Sequence, residues 1–354
     1  MFKLHFENQV FVTVNDFEKI SLALPDYAIA AFSFCKSWLQ GEHHFTQFTS
    51  GSTGIPKEIS LSRHQMIASA RGTGDFFGID SNSILLCCLN PSFIAGKMML
   101  VRAMVWDCEI YLVEPKANPL LGLNQTFDFA AMVPLQVETT LQDSDSCVKL
   151  KEIRNLIIGG APLSTSLKSE LVNQGISAWQ TFGMTETVSH IALARISESE
   201  LLYQALPGVE IGQDDRGALW VKSSKSGTDP IQTNDLIELR SINSFIWLGR
   251  TDFVINSAGI KYSPELLEEK SRLVLEEIYP GTSFFFFGEK DPKLGEQIVL
   301  ILEATENSRL KILKERLKEV LHKYEMPRKF YFSKHFARTE SGKLNRIQTF
   351  NSLC

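Results

Sequence analysis

The run ILLCCL at residues 84–89, followed by EIYLV at residues 109–113, decides the fold class. Both are apolar runs of strand length, and the residues between them read as an amphipathic helical segment. Working outward, strand-like runs recur at Leu156–Ile158 and Ala218–Val221, again separated by helical patterns. Strands alternating with helices predict an α/β fold, since each helix carries the chain back across a sheet. Gln142–Ser146 and Ser223–Asp229 are polar and read as loops. The pattern contains no internal repeat and no low-complexity segment.

After about residue 250 the pattern changes to a compact α+β unit. Ser263 and Pro264 suit the N-cap and first position of a helix. Ser283–Phe287 and Gln297–Leu302 are strand-like, and Leu310, Leu313, Leu317, Val320, Leu321 and Tyr324 fall on one helical face. The expected organisation is a large domain over residues 1–249 and a small one over residues 250–354, long enough to carry its own core.

With 354 residues and 44% hydrophobic composition, the chain can bury a sizeable core. Its 36 basic and 41 acidic residues leave a formal charge of -5, so nothing global attracts nucleic acid or an anionic membrane, and any phosphate site must be local. The six cysteines form no C-x-x-C pair and lie mostly in apolar stretches, as free buried thiols of a reducing cytoplasm do. The N-terminal MFKLHFENQVF lacks the order of a secretory signal, and no run approaches the roughly 20 apolar residues needed to span a bilayer. A soluble, unprocessed cytoplasmic protein is expected, with neither nucleic acid nor membrane insertion among its partners.

The most informative polar segment is FTSGSTGIPK at residues 48–57. Gly51 and Gly54 let the backbone turn its N–H groups toward an anion, while Thr49, Ser50, Ser52 and Thr53 offer hydroxyl donors and Lys57 a charged one. Polyphosphate is the natural ligand. The spacing differs from a Walker A loop, which places its lysine directly after the second glycine. Taken alone, the run reads more readily as a flexible Ser/Gly linker.

Further motifs settle that choice. Residues 48–57 resemble the signature loop of the acyl-adenylate-forming superfamily, and others follow in the family's order. Ile158–Leu163, with Gly160, Ala161 and Pro162, resembles its adenine-contacting turn; Thr181-Phe182-Gly183-Met184-Thr185-Glu186 resembles its aromatic-Gly-x-Thr-Glu motif. Thr233-Asn234-Asp235 matches a Thr-Gly-Asp motif with Asn for Gly. Gly249–Asp252, followed by Ser257–Gly259 and Pro264-Glu265, is similar to the hinge motif. Ser341–Arg346 is similar to the C-terminal lysine motif. The resemblance covers about residues 45–346.

What it implies is an α/β protein whose large N-terminal adenylate-forming domain has mixed sheets and helices, with a small mobile α+β C-terminal domain. The implied activity is ligation of a carboxylic acid to coenzyme A through an acyl-adenylate, using ATP and Mg²⁺. The residues make chemical sense in those roles. Asp235 can accept hydrogen bonds from both ribose hydroxyls and Arg250 can donate nearby. Glu186 is a hard oxygen ligand for Mg²⁺; its alternative is a surface carboxylate on a turn. Lys57 serves the β/γ-phosphates and Lys343 the carboxylate and α-phosphate, where negative charge must be stabilised. The resemblance also implies that the small domain swings about Asp252 between half-reactions, withdrawing Lys343 and presenting the Ser257–Lys261 loop, with Gly259, to the pantetheine arm.

Within the superfamily, Gly183–Ser189 and the short chain look most like the o-succinylbenzoate–CoA ligases of menaquinone biosynthesis. The pattern departs in three places. His190 follows Ser189 where many members carry Gln; the two are substrate-contact candidates, and His190 reads equally as a structural histidine. Phe93 stands where many relatives carry histidine in the acyl-pocket wall. The phosphate loop begins at Thr49, with a shorter segment before it than relatives have. Lys97, beside apolar Met98–Leu100, is a candidate partner for the unreacted carboxylate of a dicarboxylic acid, or else a snorkelling helix lysine. Two other functions share these motifs: loading a carrier protein in place of free CoA, and a non-catalytic nucleotide-binding scaffold. The presence of all five charged residues, Lys57, Glu186, Asp235, Arg250 and Lys343, opposes the scaffold. Pairing into a homodimer is left open.

Overall fold

The structure is a computed structural model describing residues 1–18, 24–49, 57–224, 229–305, 308–338 and 344–353, with Phe48, Thr49 and Lys57 described by their backbone alone. Six parallel strands form the centre of its large sheet. In spatial order they are Lys3–Phe6, Glu109–Leu112, Ile84–Cys87, Phe129–Met132, Asn155–Ile158 and Ala178–Gly183. Their alternating side chains feed two separate cores. Leu85, Cys87, Phe129, Ala131 and Ile157 pack on one face, and Leu86, Cys88, Ala130, Met132, Leu156 and Ile158 on the other. Burial on both faces explains why these strands read as continuous apolar runs rather than as alternating ones.

Beyond Gly183 the same sheet becomes antiparallel, continuing through His190–Arg195, Leu202–Ala205, Ser244–Arg250, Ile231–Ser241, Ala218–Ser223 and Val209–Gln213. The sheet is therefore mixed. His44–Thr49 and Lys57–Ser62 pair apart from it as a two-stranded unit, with Thr49 and Lys57 opposite one another across the hairpin. The strand–helix–strand reading of residues 84–113 holds, with one correction. The helix Ile94–Trp106 is buried almost all round rather than amphipathic, since it lies between the sheet and the helix Arg63–Phe77. Gly74 permits that approach: a Cβ there would meet the Trp106 indole, whose Nε1 donates to the Ala70 carbonyl at 3.0 Å.

A second sheet is built from Ile255–Ser257, Ile260–Tyr262, Phe284–Asp291, Gly295–Leu302 and Lys329–Phe332, with cores of its own on both faces. Ser263 does cap the helix Pro264–Ile278, accepting from Leu266 N–H. In the helix Arg309–Val320, Leu313 and Leu317 are buried and Leu321 joins them just past its end, but Val320 and Tyr324 are exposed. Gln142–Ser146 is likewise no loop: Asp143 caps the helix Ser144–Glu152 by accepting from Ser146 N–H. Residues 225–228 of the second polar segment lie outside the described residues.

Candidate functional site

In an open α/β sheet, the crevice outside the C-terminal ends of the parallel strands is where backbone N–H groups and loops converge. A cavity of about 450 Å³ lies there. Leu89, Ala131–Val133, Gly159–Pro162 and Gln180–Thr185 reach it from the ends of four parallel strands; Ser189, His190, Tyr203, Asp235 and Trp247 reach it from the antiparallel half; and Ile94, Ala95, Met98 and Arg102 form its helical wall.

Small residues shape the rim. Gly160 has φ 86°, a conformation that glycine adopts without strain. Gly183 pairs with His190 so closely that a Cβ would collide with the Ser189 carbonyl and the His190 backbone. Between them the Thr187 hydroxyl accepts from Met184 N–H at 3.2 Å and lies 2.9 and 2.8 Å from the Met184 and Ser189 carbonyls. This cross-link holds the turn tightly enough to keep Val188, a β-branched residue, at φ 66°.

Asp235 occupies the rim at the start of the antiparallel pairing and is almost fully buried. Trp247 Nε1 donates to its Oδ1 at 3.0 Å, and Arg250 Nη1 lies 3.6 Å from Oδ2. Burial raises the Asp235 pKa, with the Trp247 hydrogen bond and the Arg250 charge opposing that rise. Arg250 also pairs with Asp252, whose other oxygen accepts from Asn234 Nδ2 at 2.8 Å. Asn in place of Gly in the Thr-Asn-Asp motif thus ties the segment between the two sheets back to the large one.

The residues singled out in the sequence do not all meet at one place. Gly160, Ala161, Pro162, Thr181–Thr185, Ser189, His190 and Asp235 line the common cavity. Glu186 is exposed beside the Thr185 rim, and Arg250 adjoins the cavity through Asp235. Neither is itself a lining residue. Gly259 forms the turn between Ile255–Ser257 and Ile260–Tyr262, away from the cavity, with Ala258 and Gly259 at φ 53° and 81° as a type I′ turn requires. The calls on Ser50–Gly54 and Lys343 lie outside the described residues, as do the side chains of Thr49 and Lys57.

Two substrate calls need correction. Phe93 precedes the helical wall and is 55% exposed, outside the cavity. Lys97 projects from a neighbouring helix face toward the strand His44–Thr49, where it donates to Thr46 O at 3.2 Å and Gln47 Oε1 at 2.9 Å and passes over the Phe34 ring. Its stem is buried and its charge is held by carbonyl oxygens, the snorkelling arrangement. Among the described lining residues the lysine or arginine is instead Arg102. It went unremarked in the sequence, although a lone arginine in the apolar run MMLVRAMVW at residues 98–106 is the signal of a buried charge. Trp247 was missed too, because its link to Asp235 depends on strand register.

Among the described residues, no group of three or more His, Cys, Asp or Glu is placed to hold a metal, and no helix is long and apolar enough to cross a membrane. Cys35, Cys87, Cys88, Cys108 and Cys147 are buried and unbridged.

The profile of the AMP-binding enzyme family matches residues 16–216. Over 97% of its length the chain is 37% identical to an acyl-CoA synthetase (AMP-forming)/AMP-acid ligase II-like protein of Dyadobacter fermentans, covering 99% of that structure at a TM-score of 0.64. It is 24% identical over 331 residues to the 2-succinylbenzoate–CoA ligase of Enterococcus faecalis, spanning 84% of this chain and 67% of that protein. The o-succinylbenzoate–CoA synthetase of Bacillus subtilis, in complex with its acyl-adenylate intermediate, shares the fold at a TM-score of 0.73 and 23% identity, over 86% of this chain and 68% of that one.

Proposed function

Because the chain belongs to the AMP-binding enzyme family, we propose that it is an ATP-dependent acid–CoA ligase, with o-succinylbenzoate as the acid. The observation that carries this reading is one cavity holding both parts the reaction needs: the turns at Gly159–Pro162 and Gln180–Thr185 with Asp235 for a nucleotide, and the apolar helical wall of Ile94 and Met98 for an acyl group. The acid follows the relatives named above and the Gly183–Ser189 run.

In the first half-reaction a carboxylate oxygen attacks the α-phosphorus of ATP and pyrophosphate leaves. In the second the CoA thiol attacks the acyl carbonyl, the thiol proton is lost, and AMP leaves. Asp235 accepts from the ribose hydroxyls, with Trp247 and Arg250 fixing its carboxylate. Lys57 neutralises the β/γ-phosphates, and Lys343 the carboxylate and α-phosphate. Glu186 is an exposed hard oxygen donor at the Thr185 rim, which fits Mg²⁺ held by one carboxylate and the substrate's own phosphates. Bound there, Mg²⁺ would supply charge neutralisation on the pyrophosphate.

The chain divides at residues 249/250, with the smaller unit turning about Asp252. The acyl-adenylate hydrolyses readily, so water must be excluded in the first step, yet a thiol must enter for the second. One fixed arrangement serves both badly. The buried free cysteines suit a cytoplasmic enzyme.

The test is a pyrophosphate-release screen over aromatic and aliphatic acids including o-succinylbenzoate, followed by CoA or a holo-carrier protein as acceptor. The expected result is release dependent on o-succinylbenzoate and a thioester formed with CoA. Absence of acid-dependent release across the panel contradicts the reading.

A further inference from the structure

Among the described residues, the hairpin of His44–Thr49 and Lys57–Ser62 pairs with neither of the larger sheets, so no strand ladder sets its position beside the cavity. Its apolar side is held by Phe45, whose ring stands 5.0 Å from Phe34 and 5.5 Å from Trp38 on the helix Asp26–Leu39. Apolar contact is non-directional and does not fix a strand along its own axis.

Gln47 supplies the direction. Its side chain is buried and both ends of the carboxamide are used: Nε2 donates to the Ser92 carbonyl at 3.1 Å, and Oε1 accepts from Lys97 Nζ at 2.9 Å. Lys97 Nζ also donates to the Thr46 carbonyl at 3.2 Å. Turning the amide over would set a donor against the ammonium and an acceptor against a carbonyl, so the two contacts admit one orientation. A leucine here would avoid the desolvation cost of a buried amide but would set no register.

Ser92 and Lys97 belong to the segment that walls the cavity, where Leu89, Ile94, Ala95 and Met98 line it. That segment is tightly folded. A Cβ on Gly96 would collide with the Leu89 and Asn90 carbonyls, and Asn90 accepts from the N–H groups of Ser92 and Phe93 at 2.9 and 3.0 Å. A shift at Ser92 or Lys97 therefore carries the wall with it. On the other side, Gln47 stands two residues, about 7 Å of strand, before Thr49, where the Ser/Gly/Thr run begins.

We infer that Gln47 and Lys97 are positioning residues that register the phosphate hairpin against the acyl wall, so that a triphosphate and the acid each tighten the other's binding. This rests on the ligase reading, with residues 48–57 taking the phosphates and the cavity taking the acyl group. Neither side chain lines the cavity. By linkage the two ligands share one coupling factor, whichever is added first.

The experiment is calorimetric titration of the protein with α,β-methylene-ATP, which keeps three phosphates but cannot lose pyrophosphate, with and without o-succinylbenzoate. AMP, which lacks the β- and γ-phosphates, is titrated alongside. In the unmodified protein the acid tightens the triphosphate analogue by about 10-fold or more, within the usual range of coupling between sites, and AMP by less. Lys97→Met and Gln47→Leu each bring the factor toward one while AMP affinity stays the same. Lys97→Arg keeps part of it, and the double variant loses no more than either single one, because both act through one contact. An unchanged factor in a folded Lys97→Met protein overturns the inference, as does a loss of AMP affinity equal to that of the analogue, which is what a merely structural pair would give. A factor near one in the unmodified protein overturns it too, even if the variants fail to fold. In that case acid-dependent pyrophosphate release from ATP leaves the ligase reading intact, and its absence with every acid removes both.

Discussion

The Trp247 indole donates a 3.0 Å hydrogen bond to Asp235 Oδ1 across paired strands, holding a buried carboxylate at the rim of the cavity while Arg250 stands 3.6 Å from the other oxygen. A fixed carboxylate of this kind is an acceptor for vicinal hydroxyls. Asp235→Ala is therefore expected to raise the KM for ATP by about 10- to 100-fold, the range for a hydrogen bond to a charged group. Trp247→Phe, which removes only the orienting donor, has a smaller effect. Burial raises the Asp235 pKa, and protonation removes the acceptor. ATP affinity should thus fall as pH falls through that raised value, at a higher pH than for an ordinary aspartate. Titration of ATP binding against pH checks this, and Asp235→Asn should bind weakly with a flat profile.

Gly183→Ala tests the tight pairing of two motif strands. The added Cβ meets the Ser189 carbonyl and the His190 backbone, neither of which yields as a flexible side-chain end does. A loss of about 1–3 kcal/mol in denaturant unfolding is expected, as for other overpacked sites. Full stability in that variant contradicts the geometry at the strand reversal.

How much of this was legible in advance follows from which interactions are local. The parallel strands announced themselves because burial on both faces leaves uninterrupted apolar runs, as at Ile84–Cys87. The Ser263–Pro264 helix start was legible because capping is decided within three residues. The helix Ile94–Trp106 was misread as amphipathic, since only tertiary packing shows that both its sides are covered. The sequence reading singles out Lys97 and passes over Arg102 for the same reason: five positions apart on one helix, they face different neighbours, and no spacing rule says which face meets the cavity. The pairing of Asp235 with Arg250, by contrast, followed from motifs whose order survived into strand register.

The buried pair Glu268–Arg346 links the helix Pro264–Ile278 to the end of the C-terminal lysine motif, with Arg346 Nη1 and Nη2 donating at 2.6 and 2.9 Å. Burial pushes the Glu268 carboxyl from 4.5 up to about 7, with Arg346 opposing. Between those values the folded state binds the extra proton, so this group makes stability fall as pH rises, by up to about 3 kcal/mol. Glu268→Gln, which mimics the un-ionised carboxyl at every pH, should lack that slope. Unfolding curves for both proteins from pH 4.5 to 8 check the point; equal slopes contradict it.

Asp252 holds Arg250 and Asn234 at the segment joining the two sheets. On the proposal that the smaller unit turns there, Asp252→Pro should spare acid-dependent pyrophosphate release more than thioester formation. Asp252→Ala separates the loss of its side-chain contacts from the loss of backbone freedom. Equal loss of both half-reactions in the proline variant alone counts against the hinge.

The central claim is attack of a carboxylate oxygen on the α-phosphorus. Turnover of o-succinylbenzoate labelled with ¹⁸O in its carboxyl groups, in the presence of ATP and CoA, tests it most directly by mass analysis of the nucleotide. Because thiolysis breaks the acyl carbon–oxygen bond, the AMP released should carry one labelled oxygen and the pyrophosphate none. Unlabelled AMP, or label in the pyrophosphate or in free phosphate, would contradict the account.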